Sequence, residues 1–188
     1  MPVSQPDQQV RALATESRAL VEAARERALK MIEDGSPLRQ ILSQLTSAVE
    51  STCDSVASIL VLDRDGLLRN GASPSLPADY LVAIDRLKPD ADVGTCCAAA
   101  ATGEVVETPD FRADRRWSEL RHLPLALGFA GAWSMPIKTP EGRVLGTFGS
   151  YFRQIRRPTE QERDALARLM PVAALAIAAR ASTMPAPE

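Results

Sequence analysis

Residues 132–152 read AWSMPIKTPEGRVLGTFGSYF, and the two halves of this stretch decide the fold. Ala132–Lys138 and Val144–Phe152 read as strands, and Thr139-Pro140-Glu141-Gly142 between them is a run of turn formers. Two strands joined so closely pair as an antiparallel hairpin. A second hairpin is predicted upstream, where Ser55–Leu62 and Leu67–Gly71 flank the turn Asp65-Gly66. Between the hairpins lies a helical middle: Ala78–Arg86, then Thr95–Thr102 ended by Gly103, then Asp114–Leu127 interrupted at Pro124. A brief strand, Glu104–Thr108, is closed by Pro109.

Helices bracket these elements. Leu38, Ile41, Leu42, Leu45 and Val49 recur at helical spacing and predict an amphipathic helix to about Cys53. The closing helix runs from Thr159 to about Ala179. Thr159 and Glu162, three residues apart, form a capping box, and Leu166, Leu169, Met170, Ala173 and Ile177 give the buried face. Pro171 inside that pattern kinks the helix or removes one backbone bond. The order of helices, hairpin, helical middle, hairpin and helix predicts an α+β fold with an antiparallel sheet, not a βαβ repeat.

The 188 residues, 45% of them hydrophobic, suffice for one core. Residues 1–7 carry two prolines and are expected to be disordered, and residues 8–33 to be helical. Val10, Leu13, Leu20, Ala24 and Met31 fall on a weak heptad seam in that helix. The seam reads either as a dimerising, signal-relaying surface or as the face that packs on its own domain. Asp34-Gly35-Ser36-Pro37 punctuates the chain: Gly35 ends one helix, Ser36 caps the next and Pro37 opens it. The expected organisation is a tail and helix over 1–35, a domain over 36–180 and a loose tail over 181–188.

Charge and composition remove several function classes. A net charge of −2 gives nucleic-acid binding no electrostatic footing. No apolar run approaches the roughly 20 residues that span a bilayer. The start, MPVSQPDQQ, lacks a basic segment followed by an apolar one, so no signal peptide is read and a cytoplasmic location is expected. Three cysteines and one histidine match no metal-ligand spacing. A structural disulfide framework is not expected of them either.

Five ordered segments resemble the GAF domain family, over roughly residues 36–180. Val93-Gly94-Thr95-Cys96-Cys97-Ala98 resembles the family's G-[ST]-C-G-x-A helix start, with Cys97 where many relatives have Gly. Pro109-Asp110-Phe111 with Asp114-Arg115-Arg116-Trp117, Gly128 to Ile137, Gly142 to Phe148, and Arg157-Pro158-Thr159 resemble later segments in order. The resemblance implies about six antiparallel strands, terminal helices on one face and a ligand pocket on the other. It implies a small-molecule ligand without naming it. It also sets Arg121-His122 where bilin-binding members carry a Cys-His pair, so covalent bilin attachment is not expected. Haem is not expected at His122.

On that footing the expected ligand-binding residues are Thr95, Cys96, Cys97, Asp110, Arg112, Arg116, Trp117, Arg121 and Trp133. Thr95 is expected to cap its helix, where unpaired N–H groups would favour a thiolate at Cys96 or Cys97. The same cysteines also read as core residues. Trp117 and Trp133 offer flat walls with one N–H each, or else core packing. The arginines could draw a small anion, or form a solvated basic face. Asp110 orders its loop. The function expected is a non-enzymatic sensor that dimerises and relays occupancy to a histidine kinase or response regulator. A thiol-based redox enzyme or switch, and a ligand-free dimerisation module, are the alternatives.

Overall fold

Strand β5 (Val144–Phe152) lies at the centre of the sheet because it pairs on both sides, with β1 (Val56–Leu62) and β4 (Gly131–Lys138). In the computed structural model, which describes residues 5–183, β2 (Leu68–Ala72) and β3 (Val106–Thr108) complete a fully antiparallel sheet. Its order is β2-β1-β5-β4-β3, five strands among the described residues where about six were expected. Both predicted hairpins are present. β3 pairs only with Ala132–Ser134, so Met135–Lys138 of β4 has no strand paired on its outer edge among the described residues, although Lys138 Nζ donates to the Gly103 carbonyl at 2.8 Å.

Two long helices, α2 (Leu38–Thr52) and α6 (Glu160–Thr183), cover one face, and a third, α1 (Gln5–Glu33), packs on both of them. Trp133, Ile137, Phe148 and Phe152 of the sheet meet Leu42, Leu45 and Val49 of α2 and Leu166, Leu169 and Ala173 of α6. Each of these ten side chains is almost fully withdrawn from water. At about 1.5–3 kcal/mol for each large apolar side chain, this layer is the main source of stability. The other face carries α3 (Ala78–Ala83), α4 (Thr95–Thr102), a 3₁₀ turn at Arg115–Trp117 and α5 (His122–Ala126).

Several local expectations hold. The Glu162 amide donates to Thr159 Oγ1 at 3.2 Å and the Thr159 amide to Glu162 Oε2 at 2.7 Å, the reciprocal bonds of a capping box. Gly35 ends α1 at φ +70°, and the Ser36 amide reaches back to the Met31 carbonyl at 2.9 Å. Pro171 lies inside α6.

Others need correction. Ser36 does not cap α2; Pro37 holds that position, and no side chain bonds the first turn. Asp114–Leu127 is not one helix, because two short turns replace it. On α1 the sequence left two readings of the heptad seam, and the packing one does not hold for Leu13 and Leu20, which are 58% and 49% exposed while Val21, Ala24 and Ala28 are buried. Helical spacing of 3.6 residues turns Val21, not Leu20, toward α2 and α6. Gln5 to Asp7, expected to be disordered, belong to α1. Ala181 to Thr183, expected to be loose, belong to α6, and the rest of the expected tails, 1–4 and 184–188, lies outside the described residues.

Candidate functional site

The face of the sheet opposite the long helices is roofed by α4 and by the segments that carry Ile84, Leu87, Trp117 and Leu120. Between roof and sheet lies an apolar cavity of about 30 Å³, lined also by Leu60, Cys96, Cys97 and Tyr151. That is room for about one water molecule. Thr95, Cys96, Cys97, Trp117 and Trp133 reach its wall, and Asp110, Arg112, Arg116 and Arg121 do not.

The start of α4 is built differently from the sequence expectation. Gly94, not Thr95, is the N-cap; its φ of +54° and ψ of 178° form a corner that a side chain would strain. The Gly94 amide donates to the Arg116 carbonyl at 2.8 Å, which ties the helix start to the 3₁₀ turn. Thr95, freed from capping, is fully buried and links three elements. Its hydroxyl accepts from Trp117 Nε1 at 2.9 Å and donates to Thr108 Oγ1 at 3.0 Å. Thr108 Oγ1 in turn donates to Asp114 Oδ2 at 2.8 Å.

The cysteines are thiols, not thiolates. Cys97 packs with Leu60, Leu68 and Ala100, and burial pushes its pKa up to about 12. Burial also raises Cys96, whose sulfur sits over Gly149 and beside the hydroxyls of Ser134 and Thr147. The expected helix-terminus effect is worth at most about 2 kcal/mol and loses here to desolvation of the anion. Cys53, Cys96 and Cys97 are all unbridged.

The arginines face other partners. Arg116 grips both oxygens of Asp114, at 2.6 Å for its shortest contact, and donates to the Glu107 carbonyl at 3.1 Å. Arg121 donates to the Arg112 carbonyl at 3.1 Å, and Arg115 reaches Asp92 at 3.4 Å on the surface. Asp110 accepts the Arg112 amide at 2.9 Å and orders its loop, the role the sequence suggested. Burial would raise the Asp114 carboxyl, but the bonds from Arg116 and Thr108 outweigh it and hold the group below its ordinary range. None of these cations is turned into the cavity.

The two tryptophans take separate roles. Trp117 packs on Phe111, ring centroids 4.4 Å apart and planes tilted by 58°, and joins Tyr80, Phe129 and Tyr151 in an aromatic cluster on the cavity side. The Trp133 ring belongs to the core under the long helices, although the residue also borders the cavity. Leu60, Ile84, Leu87, Leu120 and Tyr151 were not anticipated as lining. They come from four separate segments, and no spacing in the sequence marks them as neighbours.

Other proteins share this architecture. The GAF domain profile matches residues 35–178. A methyl sulfide methyltransferase-associated sensor from Methanosarcina acetivorans is 33% identical over 141 residues, which is 74% of this chain and 14% of that protein. The GAF domain of a phosphoenolpyruvate-protein phosphotransferase from Coxiella burnetii superposes with a TM-score of 0.71 at 20% identity, over 90% of this chain and 97% of that one. Free methionine-R-sulfoxide reductase from Neisseria meningitidis superposes with a TM-score of 0.70 at 14% identity, over 98% and 97%. The two structural likenesses speak to the fold alone, whereas the profile match spans most of the chain. This protein therefore belongs to the GAF domain family.

Proposed function

We propose that this GAF sensor domain takes a small uncharged molecule between α4, the sheet and the Trp117 segment, and is not an enzyme. The observation that carries the reading is the apolar cavity walled by Trp117, Cys97, Leu60 and Tyr151. Its lining favours an apolar ligand over the anion suggested by the arginine-rich segment, because Arg112, Arg116 and Arg121 lie off the wall. Anything larger than a water or two must push the roof outward. Binding would then select an opened arrangement of the Ile84–Leu87 and Trp117–Leu120 segments. Occupancy would pass through α1 and α6, in a cytoplasmic homodimer, to a histidine kinase or response regulator. The exposed Leu13 and Leu20 of α1 favour a helical partner there. The boundaries that go with this reading are a tail and helix over 1–35 and a sensory domain over 36–180.

A thermal-shift and titration panel tests the ligand class, with benzene, toluene and indole set against nitrate, phosphate and acetate. Stabilisation by the apolar probes is expected, with quenching of Trp117 fluorescence in a Trp133→Phe background. Stabilisation by the anions alone would overturn the reading. A second reading, a thiol-dependent reductase, draws on the likeness to the Neisseria enzyme. The high thiol pKa values disfavour it. Turnover of free methionine sulfoxide with a dithiol reductant, abolished by Cys96→Ser, would revive it.

A further inference from the structure

The short edge strand β3 touches both halves of the molecule through adjacent residues. Successive side chains of a strand point to opposite faces. Thr108 therefore points to the cavity side, where it stands between Thr95 and Asp114. Glu107, opposite Trp133 in the ladder, points to the long helices. There its carboxylate receives Arg163 of α6 through Oε1 and Arg157, just before α6, through Oε2 at 2.8 Å. The Arg163 guanidinium also lies 5.6 Å from the centre of the Trp133 ring. Arg116 closes the circuit, since its Nη2 donates both to Asp114 Oδ2 and to the Glu107 carbonyl.

We propose that β3 is a rocker: the polar chain Trp117–Thr95–Thr108–Asp114–Arg116 couples the cavity wall to α6 through the two ion pairs of Glu107. The inference rests on the sensor reading, for which it supplies the route from wall to helix. Three features make β3 suited to the task. It is three residues long and has a strand on one side only, so its ladder restrains it less than it would an inner strand. Its hydroxyl side is held by side-chain bonds that run without a break from the Trp117 indole to the Asp114 carboxylate. Its carboxylate side is fixed to α6 by Arg163 and to the segment leading into α6 by Arg157. An outward shift of Trp117 pulls on Thr95, then on Thr108, and so tilts the Glu107 carboxylate away from Arg163. Coupling is reciprocal, so loosening Glu107 must in turn loosen the Trp117 segment.

Substitutions replace the unidentified ligand in the test. Trp117→Phe keeps a ring and removes the N–H that begins the chain; Thr108→Val removes its middle hydroxyl; Phe111→Leu disturbs the same aromatic cluster and leaves the chain intact. Amide hydrogen exchange is followed in the whole protein. Trp117→Phe and Thr108→Val are expected to speed exchange at residues 160–168 at least threefold, with Phe111→Leu leaving that segment unchanged. Glu107→Gln is expected to speed exchange at residues 115–121 by a similar factor. Effects confined to residues 94–121 in both chain variants would overturn the proposal, as would an equal effect of Phe111→Leu on α6. Should Trp117→Phe fail to fold, Thr108→Val and Glu107→Gln decide the matter alone. Because no ligand enters, this outcome is independent of whether the apolar probes bind.

Discussion

At the scale of single residues, environment outweighs type. Cys96 and Cys97 sit at a helix start, yet burial makes both poor nucleophiles. Iodoacetamide at pH 8 should therefore label neither at an appreciable rate in the folded protein and both promptly in urea, as peptide mass mapping would read; fast native labelling of Cys97 would refute the account. Glu162 shows the opposite balance. It is 3% exposed, and burial would raise its carboxyl, but the bidentate bond from Arg156 (2.7 Å to each oxygen) and the Thr159 amide hold it below the ordinary range. Glu162→Gln leaves Arg156 without its anion and should cost roughly 2–4 kcal/mol in urea unfolding. Thr159→Ala should cost about 1 kcal/mol. The capping box was legible in the sequence because its two members lie three residues apart and bond each other. The fate of Arg112, Arg116 and Arg121 was not: composition shows a charge but not which carbonyl or carboxylate the fold sets before it. Glu107 gave no sign at all, since its partners lie 50 and 56 residues away.

At the scale of elements, turn chemistry was read more reliably than helix faces. Asp65-Gly66, Gly103 and Gly142 mark chain reversals or helix ends where the sequence put them. The Asp114–Leu127 segment misled because its apolar residues, Trp117, Leu120 and Leu123, keep helical spacing while serving an aromatic cluster through two short turns. On α1 the heptad seam and the buried stripe share only Ala24 and the partly buried Met31, so spacing alone did not decide which face meets the domain. Pro171 offers a test at this scale. It is exposed and interrupts the bonding of α6. Pro171→Ala restores an N–H and relieves the ring's clash with the preceding turn, less the entropy that proline removes from the unfolded chain. A gain of roughly 1 kcal/mol is expected in thermal or urea unfolding, and a loss of stability would mean that the proline ring itself is needed for packing.

At the scale of the whole molecule, the antiparallel α+β architecture was legible because it follows from the order of elements. The strand order and the near-closure of the cavity were not, since both arise from contacts across the chain. Gly146 illustrates the point: a Cβ there would lie 2.2 Å from the Leu60 carbonyl oxygen of the adjoining strand. Gly146→Ala should destabilise the fold by more than about 3 kcal/mol. The depressed carboxyls of Glu107, Asp114 and Glu162 give the molecule a shared response to acid. Their stabilising effect is complete above the unfolded values near 4 and is lost as pH falls through the lower folded ones. Unfolding midpoints should stay level from pH 7 to about 5 and drop below about 4, and less steeply in Glu162→Gln.

The bare outer side of β4 beyond Ser134 carries a further consequence. An uncovered strand invites edge-to-edge stacking into fibrils, and this one holds its own deterrents. Pro136 has no N–H to give an arriving chain, and Lys138 would bring its charge into contact with an identical copy. Replacing both, as Pro136→Val with Lys138→Val, should give a variant that precipitates with thioflavin-positive aggregates at concentrations where the parent protein does not.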